Sequence, residues 1–280
     1  MAQSNTGVGL TIKNKNLSAE LIESKNVPVL GAQFKIFTGQ GTEKRLFSLD
    51  TVEAGIYGEL GTNSVTADDT TFAEISFDQK RVASAIEMTQ QAINDEGIGL
   101  EAHVKEILIK RLLKKFTNQA FGYGTADGAS EFQSILDYNT TTLKVNSTDI
   151  KSFTGGATLA NIDSAYGEFA EVNAGEAIWV VDSFATVSTL LDEANQLLLK
   201  KENRANGSIG TIFNIPVFIQ PMNSKAKIVL MNPKAYAVSV SDNSGIKESD
   251  NHLSGKKVFT GDVYAHGKVV DPNAIKIIKA

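Results

Sequence analysis

The sequence predicts an α+β fold, and three observations carry that prediction. A long amphipathic stretch, Ile98 to Phe121, has the spacing of a single helix. Before it, two strand-like runs flank a region rich in Gly, Thr, Asn and Asp, which reads as a long polar hairpin. After it, helical and strand-like runs follow in mixed order, and the chain ends on two strand-like runs expected to return to the domain of the long helix.

Residues 1 to about 25 are polar and weakly periodic. They carry too little apolar surface to fold alone and read as an arm, loose or lying on something else. Val27 to Thr38, VPVLGAQFKIFT, reads as the first strand of the main body.

Between Lys44 and Arg81 the apolar residues alternate, Phe47, Leu49 and Thr51 on the way out and Ile75 and Phe77 on the way back. The turn region between them, GIYGELGTNSVTADDTT, supplies no core. An isolated two-stranded ribbon is marginal in water, and its free edges invite other chains. The ribbon should therefore lie on its own domain or on a neighbouring subunit. Thr51 to Asp78 has no Lys or Arg but carries Glu53, Glu59, Asp68, Asp69, Glu74 and Asp78. A solvated flexible loop is the plainer alternative.

Gln79 to Gln91 reads as a short helical segment, VASAIEMTQQAI, leading into the long helix. In that helix Leu100, Val104, Ile107, Leu108, Leu112, Leu113, Phe116 and Ala120 recur at three- and four-residue steps, one apolar stripe. Asn94 and Asp95 can accept hydrogen bonds from its first N–H groups, and Gly122 and Gly124 can end it at positive φ. At 1.5 Å per residue it would span roughly 35 Å. Lys105, Lys110, Arg111, Lys114 and Lys115 outnumber Glu101 and Glu106 in a chain of net charge −5. These basic residues are either a face toward an anion or an ordinary solvated face.

GYGTADGASEFQSILDYNTTT is a turn-rich connection, followed by a polar stretch to about Gly156. Leu159 to Val172 has helical spacing, and AIWVV, Ala177 to Val181, looks like a buried strand. Ser183 to Leu199 reads as a helix capped by Ser183, with Val187, Leu190, Leu191, Ala194 and Leu198 on its apolar side. KKENRANGSIG is a polar loop before the strands TIFNIPVFIQP and AKIVLMN. Pro216 suits an edge or bulge. Lys234 to Ser241 alternates like a strand, and Asp242 to Ser254 reads as a loop. KVFTGDVYAHGKVV and AIKIIKA are the closing strands.

The 280 residues, 42% hydrophobic, supply ample core, divisible between two domains. No cysteine is present, which excludes disulfides and thiolate metal sites and fits folding in reducing cytosol. No apolar run approaches the 18 or so residues of a membrane span, and the first residues lack the order of a secretory signal. The net charge of −5 argues against DNA binding through global charge.

Motifs for chemistry are absent or misplaced. His103, His252 and His266 are scattered, and His103 lacks an i+4 partner for a metal. GYGTADG follows a helix instead of opening one and has no Gly-Lys-Ser/Thr for phosphate. Ser241-Asp242-Asn243 and Ser254-Gly255-Lys256-Lys257 mimic serine acyl-enzyme motifs, in reversed order and without the third element. Asp68 and Asp69 have no apolar context that would separate their pKa values for acid–base work. Neither an enzyme nor a cofactor is expected.

Four stretches do resemble a known family, the major capsid proteins of tailed double-stranded DNA bacteriophages with the Hong Kong 97-type fold. They are FAEISFDQKRVASAIEMTQQAIND, the long helix running into NQAFGYGTADG, AIWVVDSFATVSTLLDEANQLLLK followed by NIPVFIQPM, and VVDPNAIKII. Their order and spacing cover roughly Phe34 to Ala280. The resemblance implies an N-terminal arm (1–25), an extended β-hairpin loop (44–81) and an axial domain (155–250). It also implies a peripheral domain (26–43, 82–154 and 251–280) holding the spine helix at about 98–121.

Many copies, in hexamers and pentamers, would tile an icosahedral head around packaged DNA. Contact with that DNA would be weak and nonspecific. Glu53, Tyr57, Glu59, Asp68, Asp69, Phe72 and Glu74 become intersubunit contacts, and the five basic residues of the helix an inner or intersubunit face. Some relatives seal the shell by an isopeptide bond from a lysine in the extended loop, but Thr51 to Asp78 has none. Noncovalent contacts or a separate cement protein would then hold the shell.

The arm is shorter than the scaffolding segment of many relatives, and Met1 favours a separate scaffolding protein. A portal is implied, no membrane partner is, and assembly is expected in the host cytoplasm. Asn214 stands where the family usually has glycine, which its tolerance of positive φ accommodates. The alternative is an encapsulin-type bacterial compartment shell enclosing cargo enzymes, and more remotely an unrecognised enzyme.

Overall fold

The computed structural model describes residues 30–39, 43–48, 72–89, 100–123, 131–140, 142–170, 176–188, 190–200, 207–241, 245–251 and 254–279. The expected arm, the caps Asn94 and Asp95, the GYGTADG run beyond Tyr123 and the hairpin residues Leu49 to Thr71 lie outside them.

The long stretch folds as α1 (Leu100–Asn118), and its buried apolar side chains fall at every fourth position: Val104, Leu108, Leu112 and Phe116, then Ala120 just beyond. Four residues overshoot a full turn by about 40°, so this stripe winds around the helix as it runs. The chain leaves the helix at Gly122, φ +114°, a conformation that costs an L-residue strain. A Cβ there would also stand 2.9 Å from the Met222 carbonyl oxygen.

The helix lies across a sheet of five strands: β1 (Lys35–Gly39), β4 (Lys80–Thr89), β10 (Tyr236–Ser241), β11 (Gly245–Asn251) and β12 (Lys256–Val269). β12, 14 residues long, is the axis. One of its edges pairs antiparallel with β4; the other pairs first with β11 and then with β10, which holds β1 in parallel. Gly261 lets the helix approach closely, since a Cβ there would meet Leu112 at 3.3 Å and Leu108 at 3.5 Å. Beside this sheet, β2 (Glu43–Ser48) and β3 (Phe72–Phe77) form a two-stranded antiparallel ribbon.

A second sheet has the order β5 (Lys151–Phe153), β13 (Ile275–Ile278), β9 (Ile228–Met231), β6 (Ile178–Val181), β8 (Ile215–Ile219), β7 (Gly210–Ile212). Both of its faces are buried. Ile178, Val180, Val229, Met231, Ile275 and Ile277 enter a core shared with Phe116, Ala120, Tyr236 and Val269 of the first sheet and helix. Their neighbours Trp179, Val181, Ile228, Leu230 and Ile278 pack instead with Ile162, Ala165 and Phe169 of α2 (Leu159–Ala170) and Val187 of α3 (Phe184–Ser188). Each such side chain contributes roughly 1.5–3 kcal/mol on leaving water, and this run of them explains the uninterrupted IWVV and IVLM sequences. Pro216 falls just before the register of β8 with β6 begins, where a missing N–H is tolerated.

Three expectations are corrected. The expected helical segment VASAIEMTQQAI is a strand over its described part: Lys80 to Thr89 is β4, and the residues from Gln90 on lie outside the described residues. Val82, Ser84, Ile86 and Met88 alternate with Arg81, Ala83, Ala85 and Glu87, and a ten-residue ladder with β12 outweighs helix propensity. The predicted helix over Ser183 to Leu199 stops at Ser188. Asp192 diverts the chain, its Oδ1 accepting from the N–H groups of Ala194 (2.9 Å) and Gln196 (2.8 Å).

The loop expected from Asp242 to Ser254 contains β11, whose polar side chains conceal an edge strand. The two closing strands lie in different sheets: β12 packs against the long helix, and β13 is in the second sheet, where Ile275 and Ile277 share a core with Phe116 and Ala120. The connection after α1 is also less loop-like than its composition suggests: Phe132, Ile135, Leu136, Tyr138, Val145 and Ile150 are all buried.

Candidate assembly interface

The hairpin root is fastened to the chain's own body. Alternation along β3 turns Ile75 and Phe77 inward, where they pack with Val145, Ala237 and Val270. Phe37 lies 6.3 Å from Phe47 and 6.4 Å from Phe77, ring centre to ring centre. The Arg45 guanidinium sits 4.1 Å over the Phe37 ring, a cation–π contact. At the exit of β3, the Asp78 N–H donates to Nδ1 of His266 at 3.1 Å. His266 is fully buried, edge-on to Phe77 and Phe132. This histidine therefore serves packing.

Outward on β3, Glu74 meets Lys44 of β2 at 2.5 Å. Hydrogen bonding to Glu74 holds the Lys44 amine above its ordinary value, but both groups are exposed and the pair is screened. Phe72 contributes its backbone to β3. Glu53, Tyr57, Glu59, Asp68 and Asp69 lie outside the described residues. Of the expected loop contacts, the structure places Glu74 on the solvent side of an anchored root.

The five basic residues of α1 do not form one face. Lys105 reaches Glu248 of β11 at 2.7 Å, and Lys257 of β12 reaches the other oxygen at 2.9 Å. The bonds from Lys105 and then Lys257 hold the Glu248 carboxyl below its usual range. Lys105 thus ties the helix to the edge strand. Lys110, Arg111, Lys114 and Lys115 are exposed. At 100° per residue they share an arc of about 140°, with Lys105 well off it. Arg111 touches the Ser84 hydroxyl at 3.5 Å. Four cations, not five, make up the candidate basic surface.

Arg81 and Asp262 escaped the sequence reading because β4 was expected to be helical. Arg81 bonds both carboxylate oxygens, at 2.8 and 3.3 Å. The Asp262 side chain is only 9% exposed. The Arg81 bond, opposed by burial, holds its carboxyl below the ordinary aspartate value. The two-residue alternation over Val82 to Met88 was the signal that could have found this pair.

Among the described residues no group of three His, Asp or Glu could hold a metal, and no helix is long and apolar enough to cross a membrane. A family model described as the phage capsid family matches residues 19–280. Among solved structures, the capsid of an empty GTA particle computed with C5 symmetry is 17% identical, with a TM-score of 0.69 over 99% of this chain and 98% of that one. The native GTA particle capsid follows at 15% identity and a TM-score of 0.66, over 100% and 99% of the two chains. The Mycobacterium phage Bobi chain is 13% identical, with a TM-score of 0.61 over 99% and 98%. Searching the curated proteins finds no match.

Proposed function

Because this chain belongs to the phage capsid family, it is a structural subunit of the virion shell, and we propose that its copies join as hexamers and pentamers into an icosahedral head around double-stranded DNA. The family match over residues 19–280, nearly the whole chain, carries the reading. The encapsulin alternative finds no support in that match or in the named structures. No catalytic role is assigned.

In this reading the segment beyond the hairpin root works between subunits. The root is held by Ile75, Phe77 and the Phe37 cluster, so the ribbon leaves the body in a fixed direction. The intervening sequence, acidic and poor in core-forming residues, gains its packing from a neighbouring copy. The exposed arc of Lys110, Arg111, Lys114 and Lys115 serves an inner or intersubunit surface, where contacts to DNA phosphate are few and sequence-independent. A separate scaffolding protein and a portal complete the head, which noncovalent contacts or a cement protein hold together and which assembles in the host cytoplasm.

Deleting Gly55 to Thr70 tests this directly. The variant is expected to give subunits with wild-type circular dichroism that elute as small species and form no closed shells. Shells of wild-type size from the deletion would reject the intersubunit role.

A further inference from the structure

The segment Leu190 to Leu198 is a hydrogen-bonded hairpin that exposes two leucines. Leu198 N–H donates to the Leu190 carbonyl at 3.0 Å and Asp192 N–H to the Gln196 carbonyl at 2.8 Å. Asp192 Oδ1 accepts twice more from inside the turn, and Asn195 closes it at φ +58°. Leu198 and Leu199 are buried, and Leu190 packs partly against the same core. Leu191 and Leu197 are bridge partners directly across the hairpin, so their side chains emerge on the same side. They remain 44% and 47% exposed. Ordering two adjacent leucines on a hydrogen-bonded turn and leaving them in water is unfavourable in an isolated subunit.

Charge indicates what covers them. Glu193, exposed beside the leucines, also acts on Asp163 of α2; burial first and then the Glu193 charge hold that carboxyl above its ordinary range. The Glu193 and Asp163 carboxylates thus stand close enough for their charges to interact. Next along the chain, Lys200 is held by paired backbone bonds to Thr211 of β7 at 2.9 and 2.8 Å, and its side chain is exposed. Acidic and basic groups thus stand on adjoining segments of one chain. A rotation that sets Glu193 of one copy against Lys200 of the next repeats at every copy, which closes a ring when the rotation is a whole fraction of a turn.

We propose that the Leu191/Leu197 pair is a docking knob for a second copy of this chain, oriented by Glu193 against Lys200 of that copy. The proposal rests on the shell-forming reading above. It adds the contacting residues and their head-to-tail sense.

The test uses the full chain with its assembly threshold concentration as readout. Leu191→Ser/Leu197→Ser replaces exposed side chains, so the free subunit should melt as wild type while the threshold rises about tenfold or more. Glu193→Lys alone and Lys200→Glu alone should each raise it, and the two together should restore it. The charge swap keeps the proposal testable if the serine variant misfolds. Wild-type thresholds for the serine variant, failure of the swap to restore assembly, or rescue only by a different added polypeptide would each overturn the contact. Absence of shells from the wild-type chain under every condition would instead sink the shell-forming reading.

Discussion

Replacing Gly267 by alanine should weaken the fold far more than one methyl group suggests. Gly267 sits in β12 opposite Val238. A Cβ there would stand 2.5 Å from the Tyr236 hydroxyl oxygen and 2.8 and 2.9 Å from two ring carbons. The ring has little room to move: Tyr236 is fully buried, packs 4.9 Å from Phe34, and donates its O–H to the Gln133 carbonyl at 2.8 Å. Gln133 is itself fixed, its N–H donating to the Gly267 carbonyl and its Oε1 accepting from Val269 N–H.

Overpacking of this kind costs about 1–3 kcal/mol, and a displaced hydroxyl leaves a buried carbonyl short of its partner for about 1 kcal/mol or more. The expected loss is therefore roughly 2–4 kcal/mol, a fall in Tm of roughly 3–7 °C for a chain of this size. Urea unfolding of subunits kept unassembled would read it. Gly167→Ala is the control. Gly167 lies inside α2, and a methyl group placed on it would meet nothing within 4 Å, so alanine should stabilise by about 0.5–1 kcal/mol. A Gly267→Ala subunit within about 0.5 kcal/mol of wild type would refute the packing argument.

Two further outcomes follow from charge. The Asp262 carboxyl titrates below its unfolded value because Arg81 holds its ionised form, so its stabilisation is present above the ordinary aspartate range and fades as pH falls through the folded value. Asp262→Asn should therefore flatten stability against pH below about pH 4, and an acid limb identical to wild type would contradict this. Neutralising Lys110, Arg111, Lys114 and Lys115 together to glutamine should leave the subunit folded and make assembly or genome retention less sensitive to salt. An unchanged salt dependence would mark the arc as a solvated face.

What was legible in the sequence followed the strength of its periodicity. The stripe from Val104 to Ala120 and the runs IWVV, IVLM and IKII needed no tertiary information, because their apolar positions exceed what a solvated segment would carry. Lys80 to Thr89 was misread because its apolar residues fit either period, and only the ladder to β12 decides between them. Leu190 to Leu199 was misread because leucine favours helix, whereas Asp192 and Asn195 offer local hydrogen bonds and a positive φ that the helix cannot match. The polar edge strand β11 declared itself through pairing and through the Lys105–Glu248–Lys257 contacts, which no local pattern reveals. The hairpin root and the basic residues were visible in sequence. The separation of Lys105 from the other four came only from three dimensions.

Side-chain-resolution density of the purified particle tests the central claim most directly. The account predicts a closed shell of many copies in which residues 51–71 of each subunit rest on an adjacent copy. A solitary monomer whose residues 51–71 fold back on its own first sheet would contradict it.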